Sequence, residues 1–386
     1  MNKWIKKLNG RKEKTLFRRC FPIQRKKNGR VLISDKWYWD FSSNDYLGLS
    51  QDTQLCEAAK RVLHEHGMGS GGSRLLSGNS NLFHELETRV AQLKQKETAL
   101  IFTSGYQANV GIISALLEEK DVVFADKHIH ASLVDGIQLS HAALYRYRHN
   151  DMAHLENLLI KQRNRFSNAM IVTESLFSMD GDHPPMEEII ELKNSFNCLL
   201  MVDEAHAFGA LGKNGKGFIS DKKTIAAVDL MVGTFGKALG GHGAFVACSS
   251  VLRDYLINFC RSFMYSTALP SVVIGWNIAA MDSLPFLEEK RKTLLEKSFT
   301  FRNQLHSFFN GIPGNAYIIP GITGKCQTAL DLAQFLQEKG FWVLPIRTPT
   351  VPENHARVRF SLTSCHTQIV LDELYEAVKK YFYLQG

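Results

Sequence analysis

Leu199-Leu200-Met201-Val202-Asp203-Glu204-Ala205-His206 (LLMVDEAH) is an apolar run that stops on two carboxylates and a histidine. Four consecutive apolar residues with no polar alternation describe a strand buried on both faces, as in a parallel sheet covered by helices. Asp203 then lies at the carboxyl end of that strand, the edge where open α/β sheets bind ligands. A carboxylate there is desolvated unless it meets a cation. His206, three residues on, converges on the same edge.

Working outward, short apolar runs recur: Ala99–Phe102, Val122–Ala125, Ala143–Tyr147, Met170–Thr173, Cys198–Val202, Leu230–Gly233 and Ala244–Ala247. Helical periodicity separates them at Ala108–Leu117, Ser132–Leu139, Ala153–Lys161 and Met186–Ser195. Two more helices, near Gln54–His66 and Leu82–Gln95, precede the series. The expectation is a large α/β domain over residues 51–285, built on a mainly parallel seven-stranded sheet. Residues 1–50 read as an N-terminal arm and a small hairpin, Val31-Leu32-Ile33 turning at Ser34-Asp35 into Trp37-Tyr38-Trp39. Residues 286–386 read as a smaller α/β domain. Its elements are a long helix Glu288–Phe309, strands Tyr317–Ile319, Phe341–Pro345 and Arg357–Ser361, and helices Thr328–Glu338 and Val370–Phe382.

Composition is that of a globular chain: 386 residues, 45% hydrophobic and 22% charged. The longest apolar run, Ser271–Met281, has 11 residues and contains Asn277, too short for a membrane span of about 20. The net charge of +8 is uneven. Residues 1–36 hold 13 Lys/Arg against Glu13 and Asp35, a net of +11, so the remainder carries −3. Such an arm suits nucleic acid, a membrane surface or an acidic ligand, or is simply a solvated arm, the reading favoured here. It has no apolar core of the secretory kind, and the seven scattered cysteines argue for reduced thiols; both point to the cytoplasm.

Several motifs are excluded by what is missing around them. LLMVDEAH reads like the acidic strand of an ATPase, but no G-x-x-x-x-G-K-[ST] loop exists. Gly67–Gly72 matches G-x-G-x-x-G, but a helix precedes it instead of a strand. No H-E-x-x-H or G-x-S-x-G occurs, and no metal site is expected.

What remains converges. Lys237, in Thr234-Phe235-Gly236-Lys237, follows the apolar strand Asp229–Gly233 and so lies at the same sheet edge as Asp203. A lysine there forms a Schiff base with an aldehyde, unless it is an ordinary solvated loop lysine. Thr103–Asn109 joins a strand to a helix, a place where backbone amides cradle phosphate. His130 opens a helix, where an imidazole stacks on a flat ring or merely caps. Together the pieces describe one ligand, pyridoxal 5′-phosphate: phosphate to Ser104–Tyr106 and Thr234, ring nitrogen to Asp203, ring face to His130, aldehyde to Lys237.

With these residues in hand, the chain resembles the α-oxoamine synthases, fold-type I pyridoxal-phosphate transferases, from about Leu16 onward. The resemblance rests on FSSNDYLGLS (41–50), GMGSGGSRLLSG (67–78), DKHIHAS (126–132), ESLFSMDGD (174–182), VDEAH (202–206), TFGK (234–237) and YSTALP (265–270). It implies that Lys237 carries the cofactor and acts as base, that Asp203 keeps the ring nitrogen protonated, and that Ser178 and His206 bond the ring hydroxyl. Gly105, Tyr106 and Thr234 would bind phosphate, with Thr267 reaching over from a partner subunit of a homodimer. Arg347 would pair with an amino-acid carboxylate, Thr350, Asn44 and His130 would help position substrate, and Arg18 would lie near the far end of the acyl group. Ala207, where the family pattern has glycine, is a departure.

Asn44–Gly48 and Ile346–Leu362 narrow the match to the member that joins L-alanine to a pimeloyl thioester in biotin synthesis. The thioester carrier is coenzyme A or acyl carrier protein. Sister activities of the family, glycine C-acetyltransferase, 5-aminolevulinate synthase and serine palmitoyltransferase, are the alternative. Neither nucleic acid nor membrane is an expected partner.

Overall fold

The seven candidate strands form one sheet, in the order Thr98–Phe102, Ala244–Cys248, Leu230–Thr234, Leu199–Asp203, Ala169–Glu174, Val122–Asp126 and Ala143–Tyr147. In this computed structural model, which describes residues 1–309 and 311–384, neighbouring strands pair in parallel except around Ala244–Cys248. That strand runs antiparallel to both its neighbours, with Ala244 opposite Thr234 on one side and Phe102 on the other. The consequence is one edge of the sheet that gathers the carboxyl ends Phe102, Asp126, Glu174, Asp203 and Thr234. The chain thus has a mixed α/β fold built on a large, mostly parallel seven-stranded sheet.

Two compact units are present. The larger comprises residues 49–177 and 183–289. Its strands are apolar because both faces are covered: Val123, Ala125, Val172, Met201 and Val232 are all buried against Ala108, Ile112, Leu133 and Ile137 of two helices, Gly105–Leu116 and Ala131–Ser140. These helices approach closely at Gly136. A Cβ there would stand 2.9 Å from the Asn109 carbonyl and 3.1 Å from the Val110 Cα, so only glycine permits the spacing. The apolar run Ser271–Met281 is a helix of this unit, Ser271–Ser283, with Asn277 buried and donating to the His242 carbonyl at 2.8 Å. No helix among the described residues is long and apolar enough to cross a membrane.

The smaller unit comprises residues 1–48, 178–182 and 290–386, with residues 310, 385 and 386 outside the described residues. The arm and hairpin, read from the sequence as a separate segment, therefore share a unit with the C-terminal residues. The reason is a sheet: Phe341–Trp342 pairs in parallel with Trp39–Asp40, extending the hairpin. The run Phe341–Pro345, expected as one strand, is two strands in two sheets. Pro345 has no N–H to continue the first ladder, and Pro345–Ile346 pairs instead with Ala356–Ser361.

Candidate functional site

At the sheet edge of the larger unit, Asp203 is buried and receives two hydrogen bonds, from Asn109 Nδ2 at 2.7 Å and from the Ala205 amide at 2.8 Å. The second Asn109 Nδ2 proton goes to Ser132 Oγ at 3.0 Å. Ser132 Oγ in turn lies 2.7 Å from His130 Nδ1, which also accepts from the Ser132 amide at 3.3 Å. His130 thus does cap the helix Ala131–Ser140, and the cap fixes its ring. With Nδ1 accepting, the remaining proton belongs on Nε2. Burial holds its pKa below the usual histidine value, against the pull of Asp203 and with the help of the Lys237 charge. The imidazole is therefore neutral, a flat face suited to stacking. The Tyr106 ring meets it edge-on at 6.2 Å.

Lys237 is half-buried at the end of the loop that follows Leu230–Thr234. Its charge is felt at both His130 and Glu174. Glu174, opposite Asp203 in register, is fully enclosed. Burial, and then the Asp203 charge, push its carboxyl well above the usual range, and its Oε1 has no partner among the described residues. Glu204 faces away from this chemistry. It is fully buried with Lys94, which also donates to the Lys216 carbonyl at 2.6 Å, and it accepts from the Ile219 amide at 2.9 Å. It is a strut for the loop after the sheet. Ala207 is buried with an ordinary negative φ, so its methyl costs nothing where glycine was expected.

The expected phosphate cradle is also at this edge. Ser104 caps the helix Gly105–Leu116 by accepting from the Gln107 amide at 3.2 Å, while the first amides, Gly105 and Tyr106, have no intrahelical acceptor. A Cβ built on Gly105 would lie 4.0 Å from Thr234 Cβ, so the two elements expected to bind phosphate are neighbours. The Thr234 hydroxyl itself donates to the Gly243 carbonyl at 2.8 Å and accepts from the Gly236 amide at 3.2 Å. His206 is buried three residues beyond Asp203. Thr267 is exposed and bridges to Ser73 of the glycine-rich loop. A buried carboxylate with oriented donors, a neutral ring, a half-buried amine and an open helix N-terminus fit a phosphorylated pyridine aldehyde.

The smaller unit holds the remaining candidates. Ser178 is buried. Arg18 donates to the Thr350 hydroxyl at 2.7 Å. Arg347, expected to pair with an amino-acid carboxylate, instead donates to the Thr15 carbonyl and, at 3.3 Å, to the Phe17 carbonyl, and it feels the Arg18 charge. Arg357 is ion-paired with Asp180 at 2.5 Å. Arg359 differs from both. It donates to Asn44 Oδ1 at 3.0 Å and to the Tyr46 hydroxyl at 3.2 Å, both neutral acceptors, and its buried Nε has no partner among the described residues. Asn44 also accepts from the Tyr46 hydroxyl at 3.1 Å. Burial keeps that phenol protonated, raising it to about 12. Among the described residues Arg359 thus has no counter-ion, and it lies beside the predicted substrate residue Asn44. The sequence reading passed over it, as it passed over Asn109 and Ser132. Its signal was present: two arginines spaced by one residue in the otherwise apolar strand Ala356–Ser361.

Residues 38–378 match the family model for class I and II aminotransferases. A protein of Neisseria meningitidis that carries the provisional name 8-amino-7-oxononanoate synthase is 45% identical over 331 residues, 84% of this chain and 86% of its own. The solved 8-amino-7-oxononanoate synthase of Francisella tularensis superposes with a TM-score of 0.77 at 31% identity, covering 90% of this chain and 98% of that one. A structure of SPT, a serine palmitoyltransferase, with its PLP internal aldimine has a TM-score of 0.89 at 26% identity, covering 95% and 92%.

Proposed function

The chain belongs to the class I and II aminotransferase family, as a pyridoxal-phosphate-dependent acyltransferase, and we propose that it condenses L-alanine with a pimeloyl thioester in biotin synthesis. The products are 8-amino-7-oxononanoate, carbon dioxide and the free thiol carrier. The observation that carries this reading is the 45% identity, across 84% of the chain, to a relative provisionally named for that reaction. The cofactor-shaped edge of the larger unit supports it.

When bound, pyridoxal phosphate supplies an electrophilic carbon and a ring that draws electrons from the substrate's α-carbon. The protein's part is positioning and proton transfer. Asp203, oriented by Asn109 and Ala205, would be the acceptor that keeps a proton on the ring nitrogen. Neutral His130, held through Ser132, offers its face to the ring and adds no competing charge. Ser178 and His206 are assigned to the ring hydroxyl. The amides of Gly105 and Tyr106 take phosphate with Thr234, and Thr267 is assigned to the phosphate of a partner subunit. The Lys237 amine would hold the cofactor and, as the base, would take the proton from the alanine Cα and return one to the same carbon.

For the carboxylate of the amino acid, we assign Arg359 with Asn44 in place of Arg347. A planar cation surrounded by neutral acceptors gains most from a carboxylate. Arg347, Arg18 and Thr350 form a second cationic group, assigned to the acyl side.

The test is turnover of L-alanine with pimeloyl thioester, with product mass measured for the native protein and for Lys237→Ala. The native protein should yield 8-amino-7-oxononanoate and the variant none. Turnover of glycine or serine in preference to alanine would transfer the chain to a sister activity.

A further inference from the structure

The helix Asn2–Glu13 buries none of its residues. Trp4, Ile5 and Leu8 lie on one side of it and are 64%, 49% and 49% exposed. Lys3, Lys6, Lys7, Arg11 and Lys12 surround that stripe, all exposed and none in an ion pair among the described residues. A helix of 12 residues is marginal in water without tertiary packing, so an apolar stripe left bare marks an element that awaits a partner. The root of the arm is fastened. Arg347 donates to the Thr15 and Phe17 carbonyls, and Arg18 to the Thr350 hydroxyl. The segment Arg347–Thr350 is the one assigned above to the acyl side.

From this juxtaposition we infer that the arm is the docking surface for an acidic carrier protein that presents the acyl group as a thioester. The inference rests on the acyl-transfer reading and names its partner. Charge selects the occupant. A helix about 18 Å long, at 1.5 Å per residue, with five cations that form no ion pair among the described residues around three apolar side chains matches an acidic amphipathic helix. A free nucleotide thioester covers only a few of those charges. An anionic membrane would also attract the helix, but it would not explain why the arm is tied to the acyl-side segment.

The experiment uses the full-length holoenzyme with two substrates, pimeloylated acyl carrier protein and pimeloyl pantetheine. The variant is Lys3→Glu/Lys6→Glu/Lys7→Glu, with Trp4→Ala as a milder second. For the triple variant, KM for the carrier-borne substrate should rise about 10–100-fold and lose its salt dependence, while kcat and the pantetheine kinetics stay unchanged. Direct titration with the carrier protein should show the same loss of affinity, which tests the surface even if no turnover occurs. Equal KM and equal carrier affinity for native and variant would overturn the inference. So would equal damage to both substrates, or binding to anionic vesicles that the variant abolishes while carrier kinetics hold. Failure of the native protein to turn over either thioester, with carrier binding intact, would instead count against the reaction assigned above.

Discussion

Asn109 Nδ2 stands 2.7 Å from Asp203 Oδ2 and spends its other proton on Ser132 Oγ, so one side-chain amide links the buried carboxylate to the hydroxyl that holds the His130 ring. Asn109→Ala removes the side-chain donor from a buried carboxylate, a loss of about 1–3 kcal/mol. Affinity for pyridoxal phosphate should fall about 10–100-fold, and the visible band of the holoenzyme should titrate at a changed pH. Apo-protein stability should change far less. Cofactor titration followed by absorbance makes the measurement, and an unaltered affinity would remove Asn109 from the site.

Arg359→Ala and Arg347→Ala should separate. The first should raise KM for alanine about 10–100-fold, the value of a charge-assisted hydrogen bond, with little change in KM for the thioester. The second should do the reverse. Steady-state kinetics with each substrate varied decides, and an alanine KM moved only by Arg347→Ala would restore the original assignment.

Glu174 carries the clearest pH signature at the sheet edge. Its folded pKa is raised, so the folded state binds a proton that the unfolded chain releases above its ordinary carboxylate value. That mismatch destabilises the protein as pH rises. Glu174→Gln keeps the shape without the charge. The variant should be more stable than the native apo-protein at pH 7, with the gain vanishing near pH 4. Urea midpoints at the two pH values read it out.

His366 shows the opposite linkage. It is fully buried, stacked on Phe41 at 4.0 Å, and its pKa is pushed down to about 3. The unfolded chain takes up a proton near pH 6.5 that the folded protein refuses, so stability is lost as pH falls below that value. Between pH 7 and pH 5 this one group removes about 2 kcal/mol. Replacing it with phenylalanine should flatten the stability difference between those pH values by that amount, whatever it does at pH 7.

The Lys94–Glu204 pair is fully enclosed. Lys94→Met should cost about 3–5 kcal/mol by leaving Glu204 buried and unpaired, and Lys94→Met/Glu204→Leu should recover part of it. Cofactor spectra of the surviving folded protein should be normal, since Glu204 and Lys94 bond to the loop Lys216–Ile219.

The sheet edge that carries Asp203 and Lys237 was legible because a strand buried on both faces reads as a short apolar run, and the length of the run marks its carboxyl end. The antiparallel strand Ala244–Cys248 looked the same as its neighbours, since direction leaves no mark on an apolar run. Asn109 was hidden by distance: its partner Asp203 is 94 residues away, and a polar residue within a helix ordinarily faces water. Arg347 and Arg359 share one motif, and only the acceptors around each tell them apart. The ladder that joins the hairpin to the C-terminal residues has only two residue pairs, between Trp39–Asp40 and Phe341–Trp342, too short to foresee.

The central claim is that the Lys237 amine bonds pyridoxal phosphate. Borohydride reduction of the native holoenzyme, followed by peptide mass spectrometry, tests it. The account predicts a phosphopyridoxyl group fixed on Lys237 and on no other lysine. An unmodified Lys237 in protein prepared with saturating cofactor would contradict it.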